Sequence, residues 1–158
     1  MAKQSAALLP YRLRNGVLEV FLVHLGGPFW ARKDDGAWLL PKGEYELTED
    51  PLAAACREFT EETGFVAEGE FLPLDAITQK AGKLVTAWAV AFDADPALLK
   101  SNTFSMEWPK GSGRTREFPE VDRAAWFSAE AARRKLLPAQ LPFIDRLERL
   151  VGKGRGDA

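Results

Sequence analysis

The chain begins with two mainly apolar stretches that are separated by a short polar turn. Residues 5–12 and Val17–Leu25 are rich in the apolar residues that favour strands. The turn between them contains Asn15-Gly16, a pair suited to the positive φ angles of a tight hairpin. This pattern predicts that the two stretches form an antiparallel β-hairpin.

Further apolar stretches predict strands at residues 38–40, 65–77, 83–92 and 123–127. The first is short and is stopped by Pro41, after which the chain is expected to open into a loop. The stretch KLVTAWAVAF at 83–92 carries the strongest strand signal of the four. Turn-forming residues dominate between positions 94 and 113, so irregular structure is expected there.

The segment after Asp50 has the periodicity of an amphipathic helix. Asp50 suits the N-cap, and Pro51 suits the first helical position, where a missing N–H costs no hydrogen bond. Gly64 suits the left-handed residue that ends a helix. The residues expected to face the core are Leu52, Cys56, Phe59 and Thr63.

Two further helices are predicted near the C-terminus. Ser128 suits the N-cap of a helix at 129–136, and a last amphipathic helix begins near Pro142. The apolar face of the last helix comprises Phe143, Ile144, Leu147, Leu150 and Val151. Strands on both sides of one central helix favour an α/β sandwich in a single domain spanning residues 1–151, followed by a disordered tail at 152–158.

The composition is that of an ordinary globular domain. Of the 158 residues, 46% are hydrophobic and 28% are charged, and the net charge of −2 argues against a general attraction to nucleic acid. No apolar run approaches the ~20 residues that span a membrane, and the N-terminus lacks the apolar region of a signal peptide. The single cysteine, Cys56, excludes an internal disulfide and favours a packing role. We therefore expect a cytoplasmic monomer or homodimer with no nucleic-acid or membrane partner.

A second face of the helix after Asp50, distinct from the face expected to enter the core, carries an acidic stripe. Glu58, Glu61 and Glu62 are spaced i, i+3 and i+4, so they share one face of a helix that advances roughly 100° per residue. Like charges stacked in this way destabilise an isolated helix, which favours a bound cation. Carboxylates supply the hard oxygen ligands that Mg²⁺ and Mn²⁺ prefer. An isolated acidic run of this kind is more often a solvated surface, so the metal-site hypothesis depends on the surrounding motif.

The surrounding residues resemble the Nudix box, the signature of the Nudix hydrolases, G-x5-E-x7-R-E-U-x-E-E-x-G-U, in which U is bulky and apolar. Every fixed position is matched, by Gly43, Glu49, Arg57, Glu58, Glu61, Glu62 and Gly64, with Phe59 and Phe65 at the U positions. The resemblance implies the Nudix fold, an α/β/α sandwich with a mixed β-sheet. It also implies a hydrolase that depends on Mg²⁺, for which Mn²⁺ substitutes.

The resemblance further implies roles for residues of the box. The metal ligands would be Glu58, Glu61, Glu62 and the backbone carbonyl of Lys42. Glu58 and Glu61 would also take part in catalysis, while Arg57 would pair with Glu49 and hold the carboxylates in position. The ion would neutralise phosphate oxygens, polarise phosphorus and activate water.

Many Nudix enzymes carry a further catalytic carboxylate outside the box, before the last strand. The candidates here are Glu117 and Glu120, of which Glu120 is favoured because it stands closest to the predicted strand at 123–127. Glu58 is the other possible base. The identity of the general base therefore remains open among three glutamates.

Candidate substrate contacts are cationic or aromatic. Lys42 and Arg32 are the favoured phosphate contacts, within a set that also includes Lys33, Lys110, Arg114 and Arg116. Trp108 is the favoured ring for stacking on a nucleobase, with Trp30 and Phe104 as further candidates. For each ring taken alone, core packing is the better explanation. His24, the only histidine, ends an apolar strand and is expected to be structural.

The leading functional hypothesis is hydrolysis of a pyrophosphate bond in a nucleoside diphosphate linked to another moiety. Nucleoside triphosphates, dinucleoside polyphosphates and nucleotide sugars all remain open. Dinucleoside polyphosphate hydrolases typically carry a tyrosine downstream of the box, and many ADP-ribose enzymes carry a proline there; both are absent near residues 81–83. The residues that lead into the box, Trp38-x-x-Pro41-Lys42-Gly43, are similar to those of diadenosine tetraphosphate and diphosphoinositol hydrolases. The alternatives are a non-catalytic nucleotide sensor, which usually lacks box carboxylates, and a hydrolase of a non-nucleotide diphosphate.

Overall fold

A mixed sheet of seven strands lies at the centre of the protein, in a computed structural model that describes residues 4–79 and 82–152. Its strands are β1 (Gln4–Arg14), β2 (Val17–Leu25), β3 (Trp38–Leu39), β4 (Lys42–Glu44), β5 (Phe71–Thr78), β6 (Leu84–Ala91) and β9 (Val121–Ser128). In space, β3, β2, β1, β6 and β5 are neighbours, while β4 pairs with β1 and β9 pairs with β2. Strand β1 runs parallel to β6 and antiparallel to β2, so the sheet is mixed as predicted.

The predicted β1–β2 hairpin is confirmed. Its turn residues Asn15 and Gly16 have φ angles of 53° and 79°, as a tight turn with two left-handed residues requires. Arg14 pairs with Val17 across the turn. Local turn chemistry therefore sets the register of the first two strands.

Three helices cover the two faces of the sheet, namely α1 (Pro51–Thr63), α2 (Ala129–Lys135) and α3 (Leu141–Val151). Their predicted ends are confirmed: Asp50 accepts a hydrogen bond from Ala53 N, Ser128 accepts one from Ala131 N, and Gly64 ends α1 with a φ of 79°. None of these helices has the length and apolarity of a membrane span, within the part of the chain that the structure describes.

The hydrophobic core consists of two clusters, one on each face of the sheet, because successive side chains of a strand point to opposite faces. Ala6 and Leu8 of β1 pack with Phe59 of α1, whereas Ala7 and Leu9 pack in a second cluster with α2 and α3. This arrangement is the α/β/α sandwich that the sequence predicted.

The predicted core face of α1 is confirmed, and the structure adds further buried residues to it. Phe59 and Thr63 are buried, and the partly buried Leu52 and Cys56 pack against the core cluster that contains Phe59. Ala54, Ala55 and Glu62 are buried as well. Small alanines allow the helix backbone to approach the sheet closely, which turns Glu62 away from solvent.

Three predicted strand boundaries are corrected. Residues 65–70 form a loop before β5, and Gly69 in that loop has a φ of 127°, which a strand does not tolerate. Leu40 leaves β3 because its N–H donates to Gln140 Oε1 rather than to a strand. Lys42 and Gly43, expected to open a loop, instead form β4 beside β1.

Residues 94–113 are also more ordered than predicted. They contain a 3-10 turn at Pro96–Leu98 and strand β7 (Thr103–Glu107), which pairs with β8 (Thr115–Pro119) in a separate hairpin. The Glu107 carboxylate accepts hydrogen bonds from the backbone N–H groups of Gly111 and Gly113, at 2.9 and 3.0 Å. These two hydrogen bonds stabilise the glycine-rich turn that joins β7 to β8. The sequence around the turn has no strand-like pattern, so the hairpin was not predicted.

Two remaining sequence-based expectations concern the C-terminal end. Leu150, predicted to lie on the apolar face of α3, is 53% exposed and lines an open groove with Pro73 and Asp75. The predicted disordered tail falls almost wholly outside the described residues, which end at Gly152.

Candidate active site

A network around Arg57 sets the positions of carboxylates on and near α1. Its guanidinium donates from Nε and Nη2 to the two oxygens of Glu49, at 2.9 and 3.0 Å. Its Nη1 donates to Glu61 Oε1 at 3.0 Å and to Glu58 Oε1 at 3.3 Å. The predicted Arg57–Glu49 pair is therefore present, and the two-pronged geometry orients the guanidinium toward the acidic stripe.

Glu62 occupies a different environment from the other two box carboxylates. It is only 8% exposed, and its Oε1 accepts a hydrogen bond of 3.1 Å from the backbone N–H of Lys42. Burial raises the pKa of Glu62 to about 8, and the charges of Glu120 and Glu58 add to the rise. A buried carboxylate that two further carboxylates repel is costly to ionise unless a cation joins the group.

The Lys42 side chain is the resident cation beside Glu62. Burial, with the charge of Lys83, lowers the pKa of Lys42 to about 8, while Glu62 and Glu44 partly offset the fall. Strand β4 thus supplies both a backbone donor and an ammonium group to the acidic side of α1. Lys42 is the substrate-binding candidate that lies nearest to the carboxylates.

Gly43 allows Glu58 to lie against β4. A Cβ atom built on Gly43 would lie 2.0 Å from Cδ of Glu58 and 2.2 Å from its Oε2, closer than any real contact. The Glu58 carboxylate can therefore occupy this position only because residue 43, the first glycine of the box, has no side chain.

We predict that Gly43→Ala moves Glu58 while preserving the fold. The clashing atoms belong to the flexible end of a side chain, so the carboxylate shifts and kcat should fall on the order of 10–100-fold. Gly26→Ala is the contrast, because its Cβ would lie 1.9 Å from the Pro119 backbone carbonyl, which cannot move aside. That variant should lose about 1–3 kcal/mol of stability. Chemical denaturation and steady-state kinetics of both variants test this, and a Gly43→Ala enzyme with unchanged kcat would contradict it.

Glu120 lies next to the α1 carboxylates, although it is far from them in sequence. Its backbone is held on both sides, because its N–H donates to Asn102 O at 2.9 Å and its carbonyl accepts from Gly26 N at 3.0 Å. Burial raises the pKa of both Glu58 and Glu62, and the charge of Glu120 adds to each rise, which places the three side chains within electrostatic reach of one another.

Glu117 is oriented differently. It lies on the exposed strand β8, and its carboxylate accepts a hydrogen bond of 3.2 Å from Thr103 Oγ1 on β7. The cross-strand bond holds the Glu117 side chain against the neighbouring strand. Of the two candidates outside the box, Glu120 is thus the one that the fold brings to the acidic stripe.

The other two favoured substrate contacts, Arg32 and Trp108, show no interaction with the carboxylates of α1 among the described residues. Arg32 is exposed and lines a basic cavity of about 550 Å³ together with Lys33, Arg123 and Lys135. Trp108 sits at the end of β7, where its ring meets the edge of Phe29 with centroids 5.5 Å apart. Neither side chain contacts the carboxylates of α1 by any interaction found in the described chain, so their predicted roles stay predictions.

His24 joins three elements near Glu120. It is fully buried, its Nδ1 lies 2.8 Å from Asp122 Oδ1, and its Nε2 lies 2.6 Å from the Lys33 carbonyl. The predicted structural role is confirmed, since the ring ties β2 to the following loop and to the start of β9.

An aromatic cavity of about 460 Å³ borders Glu120 and was not predicted as a unit. Its lining residues are Leu25, Gly26, Gly27, Phe29, Trp30, Phe104, Met106 and Glu120. The sequence did carry one signal, the Gly26-Gly27 pair, because adjacent glycines mark places where another backbone or a ligand approaches closely. What approaches them could not be predicted from the sequence.

The acidic group has the chemistry of a divalent-metal site. Carboxylate oxygens are hard ligands, and a cation would relieve the repulsion that raises the pKa of Glu62. Within residues 4–79 and 82–152, no three acidic, histidine or cysteine side chains stand in a ready-made coordination geometry. Arg57 instead engages oxygens of Glu58 and Glu61.

Comparison with known proteins supports the family that the box suggests. The NUDIX domain family matches residues 3–147. An RNA pyrophosphohydrolase of Roseobacter denitrificans is 42% identical over 91 residues, which cover 48% of this chain and 52% of that protein. The chain therefore spans about half the length of this curated relative.

Solved structures share the fold at low sequence identity. An Ap4A hydrolase of C. elegans in a binary complex has a TM-score of 0.66 at 20% identity, covering 93% of this chain and 97% of its own. The NUDIX domain of Shewanella oneidensis NrtR, complexed with ADP ribose, has a TM-score of 0.66 at 15% identity, covering 96% and 89%. The family match covers most of the chain and agrees with the fold and the complete box, so the chain belongs to the NUDIX domain family.

Proposed function

We propose that this protein is a Mg²⁺-dependent hydrolase of a pyrophosphate bond in a nucleoside diphosphate linked to another moiety. One observation carries the proposal: Glu58, Glu62 and Glu120 lie within electrostatic reach of one another, and burial, with the charges of Glu120 and Glu58, raises the pKa of Glu62 to about 8. Such a group gains most from a bound divalent cation, and hydrolysis of phosphate anhydrides requires one.

The metal would be held by carboxylates and one carbonyl. The proposed ligands are Glu58, Glu61, Glu62 and the backbone carbonyl of Lys42. When bound, Mg²⁺ supplies charge neutralisation of the phosphate oxygens and activation of water, and Mn²⁺ can do the same. Arg57 and Glu49 keep the ligands in place through the hydrogen bonds described above.

The remaining chemistry is assigned to side chains around the acidic group. Glu120 takes the proton of the attacking water on its carboxylate, and its doubly tethered backbone limits where that carboxylate can point. The Lys42 ammonium pairs with a substrate phosphate, because it already lies beside Glu62. Water attacks one phosphorus, the bond to the bridging oxygen breaks, and the other phosphate leaves.

A 5′-triphosphorylated RNA end is a second candidate substrate. The relative named RNA pyrophosphohydrolase is 42% identical over the matched residues, which favours it. The net charge of −2 argues against extensive binding to the RNA backbone, so only the terminal nucleotide would be engaged.

A substrate panel tests the proposed function. It should contain nucleoside triphosphates, dinucleoside polyphosphates, nucleotide sugars, a 5′-triphosphorylated oligoribonucleotide and a diphosphoinositol phosphate, each with and without Mg²⁺. We expect Mg²⁺-dependent release of phosphate, pyrophosphate or mononucleotide from at least one nucleotide. Cleavage of the non-nucleotide diphosphate alone would support the other hydrolase hypothesis. Nucleotide binding without any cleavage would identify a sensor instead.

We predict that divalent metal stabilises the folded protein. Mg²⁺ or Mn²⁺ at about 100 times its Kd should raise Tm by about 5–10 °C, because binding to the native state alone adds stability by mass action. Differential scanning fluorimetry with EDTA-treated protein gives the readout without any substrate. Glu117→Gln should keep the shift, whereas Glu62→Gln should reduce it. An unchanged Tm with both ions, for well-folded protein, would overturn the metal assignment.

A further inference from the structure

Strand β9 contains an irregularity directly after Glu120. Its pairing with β2 passes from Arg123 to Val121, so Asp122 between them is an extra residue that has no backbone partner on β2. This arrangement is a β-bulge, which bends its strand and changes the direction of nearby side chains. Because Glu120 lies two residues before the extra residue, the bulge contributes to the direction in which the Glu120 side chain points.

The side chain of Asp122 supplies the contact with β2 that its backbone does not make. Its Oδ1 lies 2.8 Å from Nδ1 of His24, the β2 residue at which the pairing shifts. The Asp122 side chain is 29% exposed, whereas the His24 side chain is completely buried. The hydrogen bond therefore fastens the extra residue of the bulge to the interior of the sheet.

His24 is a rigid anchor for this bond. Its Nε2 lies 2.6 Å from the Lys33 carbonyl, in the loop after β2. The Trp38 ring packs against the imidazole edge to face, with centroids 5.1 Å apart, and the Trp38 indole donates to Asp34 Oδ1 at 2.8 Å. A buried ring that is held by a hydrogen bond and by close packing does not turn to follow a displaced strand.

A contact at the bulge matters because a bulged strand has a competing register. If the extra residue joined the ladder, the strand before it would slip by one position, and each side chain there would turn to the opposite face of the sheet. Such a slip would direct the Glu120 carboxylate away from Glu58 and Glu62. The His24–Asp122 hydrogen bond favours the register in which the three glutamates share one environment.

We propose that His24 and Asp122 are positioning residues for Glu120, because they hold the bulge that directs its carboxylate toward those of α1. Within the described chain, neither residue has an interaction with Glu58 or Glu62, so each acts through the backbone that leads to Glu120. The inference rests on the proposed function, in which Glu120 is the base. It also connects the loop after β2 to that base, since the same imidazole binds the Lys33 carbonyl.

A double-mutant cycle with Glu120→Gln tests the proposal. Asp122→Ala should lower kcat by roughly 10–100-fold, the cost of a misplaced catalytic group, with little change in KM. In the Glu120→Gln background, the same substitution should change kcat by less than about 2-fold, because a base that is absent cannot be misplaced. Asp122→Asn should stay within about 3-fold of wild type, since its amide has the same shape and can donate to Nδ1 or accept from it.

Asp93→Ala is the matched control. Asp93 is 76% exposed and pairs with Arg12 at 2.7 Å, away from the bulge, so its loss should leave kcat unchanged. Equal losses of kcat from Asp122→Ala in both backgrounds would show a purely structural role and overturn the proposal. A well-folded Asp122→Ala enzyme with wild-type kcat would overturn it as well. Asp122→Ser replaces Asp122→Ala if the latter fails to fold.

Amide hydrogen exchange, followed residue by residue by NMR, separates this inference from the hydrolase proposal. Gly26 N–H donates to the Glu120 carbonyl and Glu120 N–H donates to the Asn102 carbonyl, so both amides report on the segment before the bulge. In Asp122→Ala both should exchange at least about 10-fold faster, while amides in the middle of β1 exchange as in wild type. Faster exchange with an unimpaired Glu120→Gln enzyme would support the positioning contact and refute the base. Unchanged exchange with an impaired Glu120→Gln enzyme would refute the positioning contact and leave the hydrolase proposal intact.

Discussion

Glu120→Gln is expected to lower kcat by roughly 10²–10⁴-fold, the range typical of losing a general base, while Glu117→Gln should stay close to wild type. Glutamine keeps the size and hydrogen-bonding shape of the side chain but cannot accept the proton of the attacking water. The two glutamates form a matched pair, because they lie three positions apart, Glu117 in the middle of β8 and Glu120 just after its end. Only Glu120 shares an electrostatic environment with Glu58 and Glu62.

Steady-state kinetics across a Mg²⁺ titration separate a base from a metal ligand. Glu120→Gln should lower kcat with little change in the Mg²⁺ concentration required for half-maximal rate. Because the Glu120 backbone, rather than its carboxylate, is tethered to Asn102 and Gly26, Tm should change little. If Glu117→Gln shows the larger loss, Glu117 is the base, and if neither variant is impaired, the role passes to Glu58.

The second large effect is expected at the metal ligands. Glu61→Gln and Glu62→Gln should each lower turnover by at least ~100-fold at saturating Mg²⁺, since each removes one charge from the group that binds the ion. The two variants should differ in stability. Glu61 is 41% exposed and loses charged hydrogen bonds from Arg57, so its loss is mildly destabilising.

Glu62→Gln should raise Tm in the absence of metal. Burial, with the charges of Glu120 and Glu58, raises the pKa of Glu62 to about 8, so at neutral pH a carboxylate that is ionised in the unfolded chain must take up a proton on folding. A neutral amide avoids that cost and still accepts a hydrogen bond from Lys42 N. Thermal melts in EDTA, beside kinetics in Mg²⁺, measure both properties on the same samples. Near-wild-type turnover in both variants would refute the metal assignment, and a strongly lowered Tm for Glu62→Gln would show that its charge is stabilising instead.

These expectations depend on features that the sequence predicted to different degrees. The ends of α1 and the β1–β2 turn were predicted correctly, because Asp50, Gly64 and Asn15-Gly16 act on backbone atoms within a few residues of themselves. The β7–β8 hairpin was missed, because its turn depends on the Glu107 carboxylate binding two glycine N–H groups rather than on an apolar pattern.

The sequence by itself determined the family, the acidic stripe of α1 and the Arg57–Glu49 pair, since all of these depend on short spacings within residues 43–65. Only the tertiary structure decided that Glu62 is buried, that Glu120 rather than Glu117 joins the carboxylates, and that Gly27 and Phe104 share a cavity. Those outcomes require segments separated by dozens of residues to meet across the sheet. Such long-range contacts depend on the packing of whole elements, which local periodicity and spacing do not encode.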